Sequence, residues 1–287
     1  MASLIRKILG MVSLLVIFLG ITYFLIFIPR NILKNNIILL YNMVETKTFI
    51  TFSANTPQYP NLTKRNKIVC EQAKSLQYFD KIIGYTDQDL KRDIEYWGKY
   101  GNFIESNPRG YGFYSWKSYV VRRTLKDMND DDILVYIDAG CTINTYAKKR
   151  LEEYVDMVTK SKHGIISFQM DLSSQKYTKN ELFEYMNSSA EDQKKNQFVA
   201  GILILRKNEN TRRIVDEWYR VSHIPEMIND ERRFIQHPDF IDHRHDQSIL
   251  SILFHKYGSI VIPDETFFYP DWKNGLDYPF WATRVKN

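Results

Sequence analysis

From residue 47 onward the chain alternates short β-branched and aromatic runs with stretches of helical spacing. That alternation restricts the fold more than any other feature. The strand-like runs are KTFITFSA (47–54), FDKIIGYT (79–86), ILVYI (133–137), GIISF (164–168), FVAGILIL (198–205) and SIVI (259–262). The stretches KIVCEQAKSLQ, DQDLKRDIEYWGKY, SWKSYVVRRTLKDM, TYAKKRLEEYVDMVTK, TRRIVDEWYRV and DQSILSILFHKYG read as helices between them. A parallel strand pair needs a crossover, usually a helix, and such helices cover the sheet. The pattern predicts an α/β domain over residues 47–287, with a mixed, mainly parallel sheet and helices on both faces.

The first 46 residues follow a different rule. Residues 8–28 are apolar apart from Ser13 and Thr22, with Arg6 and Lys7 before them and Pro29 and Arg30 after. As a helix the run would be about 31 Å long, enough to cross a bilayer core. The reading is a short tail (1–7), a single transmembrane signal-anchor (8–28) and a stem (29–46). A cleaved signal peptide fits less well, because the run is long and no small-x-small site follows it. Arg6 and Lys7 favour a cytosolic N-terminus, and Arg30 and Lys34 partly cancel that bias. If the bulk is lumenal, Asn61-Leu62-Thr63 and Asn187-Ser188-Ser189 are glycosylation triplets.

Composition removes several function classes. Hydrophobic residues make up 44% and aromatics 14%, which supports a core and argues against disorder. The net charge of +5 is spread along the chain, so no nucleic-acid surface is expected. The two cysteines, Cys70 and Cys141, make neither a disulfide framework nor a zinc set.

In parallel sheets, ligands sit outside the carboxyl ends of the strands. The segment DDILVYIDAGCTIN ends its strand at such a place, on Asp138. A carboxylate there can hold a divalent cation or accept hydrogen bonds from sugar hydroxyls, and Gly140 allows a bulky ligand to approach. The plainer reading is an N-cap, and Cys141 reads as a packed residue rather than a nucleophile. In FIDHRHDQSILSIL, Ile249, Leu250, Leu253 and Phe254 form a buried helix face that holds His243, Arg244, His245, Asp246 and Gln247 at the helix start. Imidazoles can ligate Mn2+, and arginine can fork onto a phosphate. Capping explains one acid in that cluster but not two histidines and an arginine. In RGYGFYSWKSYVVRR, Gly110 and Gly112 stand among aromatics; a Tyr or Phe there suits a nucleobase and Lys117 a diphosphate, which makes Tyr111, Trp116 and Lys117 donor-binding candidates, against the plainer reading of a turn with core aromatics. The segment is neither a dinucleotide fingerprint nor a Walker loop.

Together, GYGFYSWK, DDILVYIDAGCTIN, QFVAGILILRKNENTRRIVDEWY and HRHDQSILSIL occur in an order and spacing that resembles GT-A-type nucleotide-sugar glycosyltransferases. The likeness is greatest to uncharacterised members from large DNA viruses and bacteria, and covers residues 47–263. It implies a GT-A-like fold and an Asp-x-Asp donor signature. Asp138 matches the first acid, Ala139 follows, and Gly140 stands in place of the second. Ala200 and Gly201 would flank the donor sugar, and Asp246 and Gln247 would touch sugar. His243 or His245 would supply the metal ligand that Gly140 lacks, beside Asp138. Lys179, in QKYTKNELF, would contact the diphosphate. The implied cofactor is Mn2+ or Mg2+, with metal-independent handling of the diphosphate as the alternative. The implied partners are a nucleotide-sugar donor and a glycan or glycoprotein acceptor, with the catalytic domain in a Golgi- or ER-like lumen or at a viral or host membrane. An inverting enzyme would use Asp246 or Asp171 as base; a retaining one could place Gln247 beneath the sugar. Two rivals stand beside this reading: a non-catalytic glycan- or nucleotide-binding protein on the same scaffold, and a metal-dependent hydrolase using His243, His245 and Asp246.

Overall fold

A computed structural model describes residues 45–57 and 59–285. The expected anchor at 8–28, and the stem apart from its last two residues, lie outside the described residues. Among the described residues no helix is long and apolar enough to cross a membrane.

The central sheet has seven strands: β1 Lys47–Ser53, β2 Lys81–Thr86, β3 Ile133–Ile137, β5 Ile165–Ser173, β6 Asn196–Phe198, β7 Ile202–Arg206 and β8 Ile260–Pro263. A separate two-stranded sheet pairs β4 Thr142–Ile143 with β9 Phe280–Trp281. β1 runs parallel to both β2 and β3, and β5 runs parallel to β8. β7 is antiparallel to β3 and β5, and β6 is antiparallel to β5. Five strands therefore share one direction and two oppose it, giving the expected mixed sheet.

Each strand of the sheet centre sends alternate side chains to opposite faces, as the pleat requires. Phe49, Ile133, Val135, Ile137, Ile166, Ile202 and Ile204 pack with α1 (Leu62–Ser75) and α4 (Lys148–Lys160). Ile50, Phe52, Leu134, Tyr136, Ile165, Leu203 and Leu205 pack with α2 (Ile94–Ser106), α3 (Ser115–Lys126), α5 (Glu209–Ser222) and α6 (Asp246–Tyr257). Two readings need adjustment. DQDLKRDIEYWGKY is not one helix: Asp93 leaves helical angles and caps α2 by accepting from Tyr96 N at 2.9 Å. FVAGILIL is not one strand: it breaks at residues 199–201 between β6 and β7, and the β5–β6 pairing just before the break carries a register shift between Gln169 and Ser173. The break lies beside the carboxyl end of β3, where Asp138 N donates to Gly201 O at 2.8 Å.

Candidate functional site

A cavity of about 510 Å³ opens at the carboxyl ends of β1 and β3. Its first wall begins at the glycine-aromatic turn. Gly110, Tyr111, Gly112, Phe113 and Tyr114 all have positive φ, between 53° and 84°. Three of these are not glycine, and an L-residue in the left-handed region costs about 1–2 kcal/mol. The turn is held by Gly112 N donating to Asn107 O at 2.7 Å and Trp116 Nε1 donating to Gly110 O at 2.9 Å. Trp116 stacks on Phe52 of β1 with ring centroids 3.9 Å apart. Strain of this kind persists where surrounding contacts over-determine it, as they often do at functional sites.

The turn feeds directly into α3, which places Lys117 one step inside the fold. Its side chain is 3% exposed, and its Nζ lies 3.2 Å from Asp138 Oδ1 and 2.8 Å from Asp246 Oδ2. Asp138 follows the fully buried β3, and its Oδ1 also accepts from Tyr136 Oη, two residues earlier on the same face. Asp246 opens α6 after His245, whose φ is +50°. The strand-end carboxylate and the histidine-rich helix start thus meet on one ammonium.

Burial alone would drive the Lys117 ammonium down; the two carboxylates outweigh it and raise its pKa above the usual lysine range. The Asp246 carboxyl is pushed up to about 6, chiefly by burial, with Lys117 opposing the rise and Asp138 adding to it. Burial and the Asp138 charge keep the Tyr136 hydroxyl protonated, as a donor. Gly201 completes this corner: a Cβ there would sit 2.8 Å from Asp138 Oδ2.

Of the residues singled out from sequence, Tyr111, Trp116, Lys117, Asp138, Ala139 and Gly140 line the cavity, as do Ala200, Gly201, His245, Asp246 and Gln247. Three do not. Lys179 is fully buried elsewhere; its Nζ donates to Asn229 O at 2.7 Å, Asn229 Oδ1 at 3.0 Å and Glu231 O at 3.2 Å. Its position does not fit a diphosphate contact, because those oxygens already receive its ammonium protons. His243 donates from Nε2 to Met227 O at 3.0 Å, and its Nδ1 accepts from Lys179 N at 3.5 Å. Both ring nitrogens are engaged, and burial holds its pKa well below the usual histidine value. Asp171 is exposed and lines a neighbouring depression with Gln169 and Val261. Sequence reasoning passed over Arg109, Phe267, Arg284 and Val285, which also line the main cavity.

The donor set does not fit a protein-held divalent cation. Such a site needs several converging oxygen or imidazole ligands. Among the described residues no group of three or more His, Cys, Asp or Glu is placed to hold a metal. Asp138 and Asp246 both face the Lys117 ammonium and Gly140 brings no side chain, so His245, which donates from Nδ1 to Ile228 O at 2.7 Å and whose buried Nε2 has no hydrogen-bond partner among the described residues, would be left as a lone imidazole ligand. An ammonium occupies the place between the two acids.

No protein-family model and no curated protein matches the chain. Among solved structures it is similar to a glycosyltransferase involved in the glycosylation of the major capsid of PBCV-1, at 10% identity and TM-score 0.47, covering 82% of this chain and 91% of that one. It is also similar to mouse xyloside xylosyltransferase 1, at 9% identity and TM-score 0.43, covering 85% and 95%. A third is the galactosyltransferase LgtC in complex with donor and acceptor sugar analogs, at 13% identity and TM-score 0.39, covering 78% and 76%. These neighbours are glycosyltransferases. At such identities and scores the likeness carries no argument, and the functional reading stands on the site.

Proposed function

We propose that the chain is a glycosyltransferase that moves a sugar from a nucleotide-diphosphate donor to a glycan or protein acceptor, tethered by the apolar run at 8–28. The observation that carries this reading is the cavity at the strand ends, whose wall holds Asp138 and Asp246 on a single buried lysine. Its volume lies in the range of small-molecule sites. Its lining supports division into two ends: aromatic groups Tyr111, Tyr114 and Trp116 for a base, and the small residues Ala200 and Gly201 beside Asp138 for a sugar.

In the reaction the bond from the anomeric carbon to the diphosphate oxygen breaks, and its electron pair stays on that oxygen. The acceptor oxygen bonds to the anomeric carbon and gives up its proton. Stabilising the leaving diphosphate and removing that proton are the two tasks set for the protein. Asp246, poised near neutrality by burial, is the candidate base of an inverting reaction. Gln247, whose Nε2 donates to Gln197 Oε1 at 2.7 Å, is the group that would lie beneath the sugar in a retaining one. The hydrolase alternative loses a ligand with His243, whose ring is taken up by backbone groups.

The test is release of free nucleotide by the purified full chain from a panel of nucleotide sugars. Asp138→Ala is expected to lower that release by at least ~100-fold. Nucleotide-sugar binding without release would favour the non-catalytic reading, and release unaffected by Asp138→Ala would remove Asp138 from the site.

A further inference from the structure

Among the described residues four lysine and arginine side chains line the cavity: Arg109, Lys117, Arg244 and Arg284. Two are committed. Lys117 is shared by Asp138 and Asp246, and Arg109 lies 3.0 Å from both Asp230 Oδ2 and Asp242 Oδ2. The other two have no carboxylate within ion-pair distance among the described residues. Arg284 lies over the Phe267 ring at 5.0 Å and Arg244 over the Tyr177 ring at 4.8 Å. Arg244 Nε is buried without a hydrogen-bond partner. Asp264, the remaining acid of the lining, accepts on Oδ1 from Thr266 N and Oγ1.

The way Arg284 reaches the cavity explains Gly140. Pairing of β9 with β4 brings the last described residues back across the strand end. Gly140 O accepts from Val285 N at 2.8 Å and from Thr283 Oγ1 at 3.1 Å. A Cβ on Gly140 would lie 3.2 Å from Val285 O. The strap crowds the position of a second acid, whose Cβ would be in tight contact with Val285 O, and it delivers a guanidinium at a residue held in the left-handed region, at φ +55°.

We propose that Arg244 and Arg284 form a clamp for the donor's diphosphate and take the place of a divalent cation. The proposal rests on the transferase reading for its biological ligand, and deepens it by making transfer independent of metal. A guanidinium presents planar, paired N–H donors that match phosphate oxygens bidentately. Two of them can meet the charge that gathers on the diphosphate as the bond to the sugar breaks. Among the described residues neither holds a carboxylate within ion-pair distance that it would have to give up first, although Asp264 feels the Arg284 charge from farther off.

The test uses inorganic pyrophosphate as probe and the full chain, by calorimetric titration in EDTA and again with Mn2+. Binding is expected in EDTA, with a gain of less than about twofold from Mn2+. Arg284→Gln and Arg244→Gln are each expected to weaken it about tenfold or more, as loss of a charge-assisted pair implies. Arg284→Lys is expected to recover part of the loss, and the thermal midpoints of the variants should match the parent, separating lost binding from lost folding. Pyrophosphate binding that requires Mn2+, or that survives both substitutions unchanged, overturns the clamp. Nucleotide release from sugar donors that needs Mn2+ and ignores both arginines would sink the clamp and leave the transferase standing. Arginine-dependent pyrophosphate binding with no release from any donor would uphold the clamp and sink the transferase.

Discussion

Two lysines among the described residues are almost entirely removed from solvent, and they are buried by opposite means. Lys117 stands between the carboxylates of Asp138 and Asp246, whereas Lys179 is received by the carbonyls of Asn229 and Glu231 and the side-chain oxygen of Asn229. The consequences for the ammonium differ in sign. The acids lift the Lys117 pKa above its usual value; at Lys179 burial dominates and pulls the pKa to about 8, with Glu181 and Asp230 only partly resisting. Burial by itself does not mark a binding residue. Lys117 lines a cavity and organises its charge, while Lys179 fastens the loop after α5 to the segment that carries His243.

The sharpest way to break this contrast is Lys117→Ala. It leaves two buried or half-buried carboxylates facing each other without a cation, a change that typically costs about 3–5 kcal/mol. Chemical denaturation of the full chain should show that loss, and nucleotide release should fall to background. Adding Asp246→Asn to Lys117→Ala should recover a good part of the stability, since one of the stranded charges is gone, without recovering release. If the single substitution is nearly neutral, the two acids are not held by this lysine.

Lys179→Met is expected to cost less, about 1–3 kcal/mol, the range for stranding buried hydrogen-bonding groups. Nucleotide release per folded molecule should be unchanged. The two sites also predict opposite pH behaviour. The folded pKa of Lys179 is depressed, so between about 8 and the unfolded value of 10.5 the unfolded chain binds more protons there. Its contribution to stability therefore rises with pH across that window, and Lys179→Met should remove the rise. The folded pKa of Lys117 is raised, so its contribution is complete below 10.5 and is lost as pH climbs beyond. Denaturation midpoints between pH 7.5 and 10 would show whether the upward slope belongs to Lys179.

The same contrast explains what could be read from sequence. The strands around the site were legible because alternating apolar residues set both faces of the sheet. Asp138 and Asp246 were legible because each puts a charge at the border of an apolar pattern, Asp138 after its strand and Asp246 before its helix face. The break at 199–201 was not, since Val199, Ala200 and Gly201 interrupt the strand without interrupting its apolar run. Lys179 and His243 were misplaced for another reason. Nothing in QKYTKNELF or FIDHRHDQ shows that their polar atoms meet main-chain oxygens some fifty and sixteen residues away. Arg284 left no local signal at all. Its place depends on Phe280 and Trp281 pairing with Thr142 and Ile143, a contact that local pattern cannot encode.

Gly140→Asp makes the smallest predicted change and sharpens the Lys117 side of the comparison by adding a third acid to its wall. The backbone at Gly140 does not lie in the left-handed region, so a side chain is allowed there. Its Cβ needs Val285 O to yield by only a few tenths of an ångström. Stability should drop by less than about 1 kcal/mol. The new carboxylate would stand beside the strap that carries Arg284, whose Cα lies 3.7 Å from the added Cβ, so that guanidinium is a cation it can pair with. Pyrophosphate affinity in EDTA should then fall several-fold, because the arginine becomes committed as Arg109 already is. Mn2+ should recover none of the loss, since the new carboxylate is taken up by the arginine rather than left free for a cation. Recovery of affinity by Mn2+ would show that the cavity can assemble a two-acid metal site, and that only the missing carboxylate had kept it from doing so.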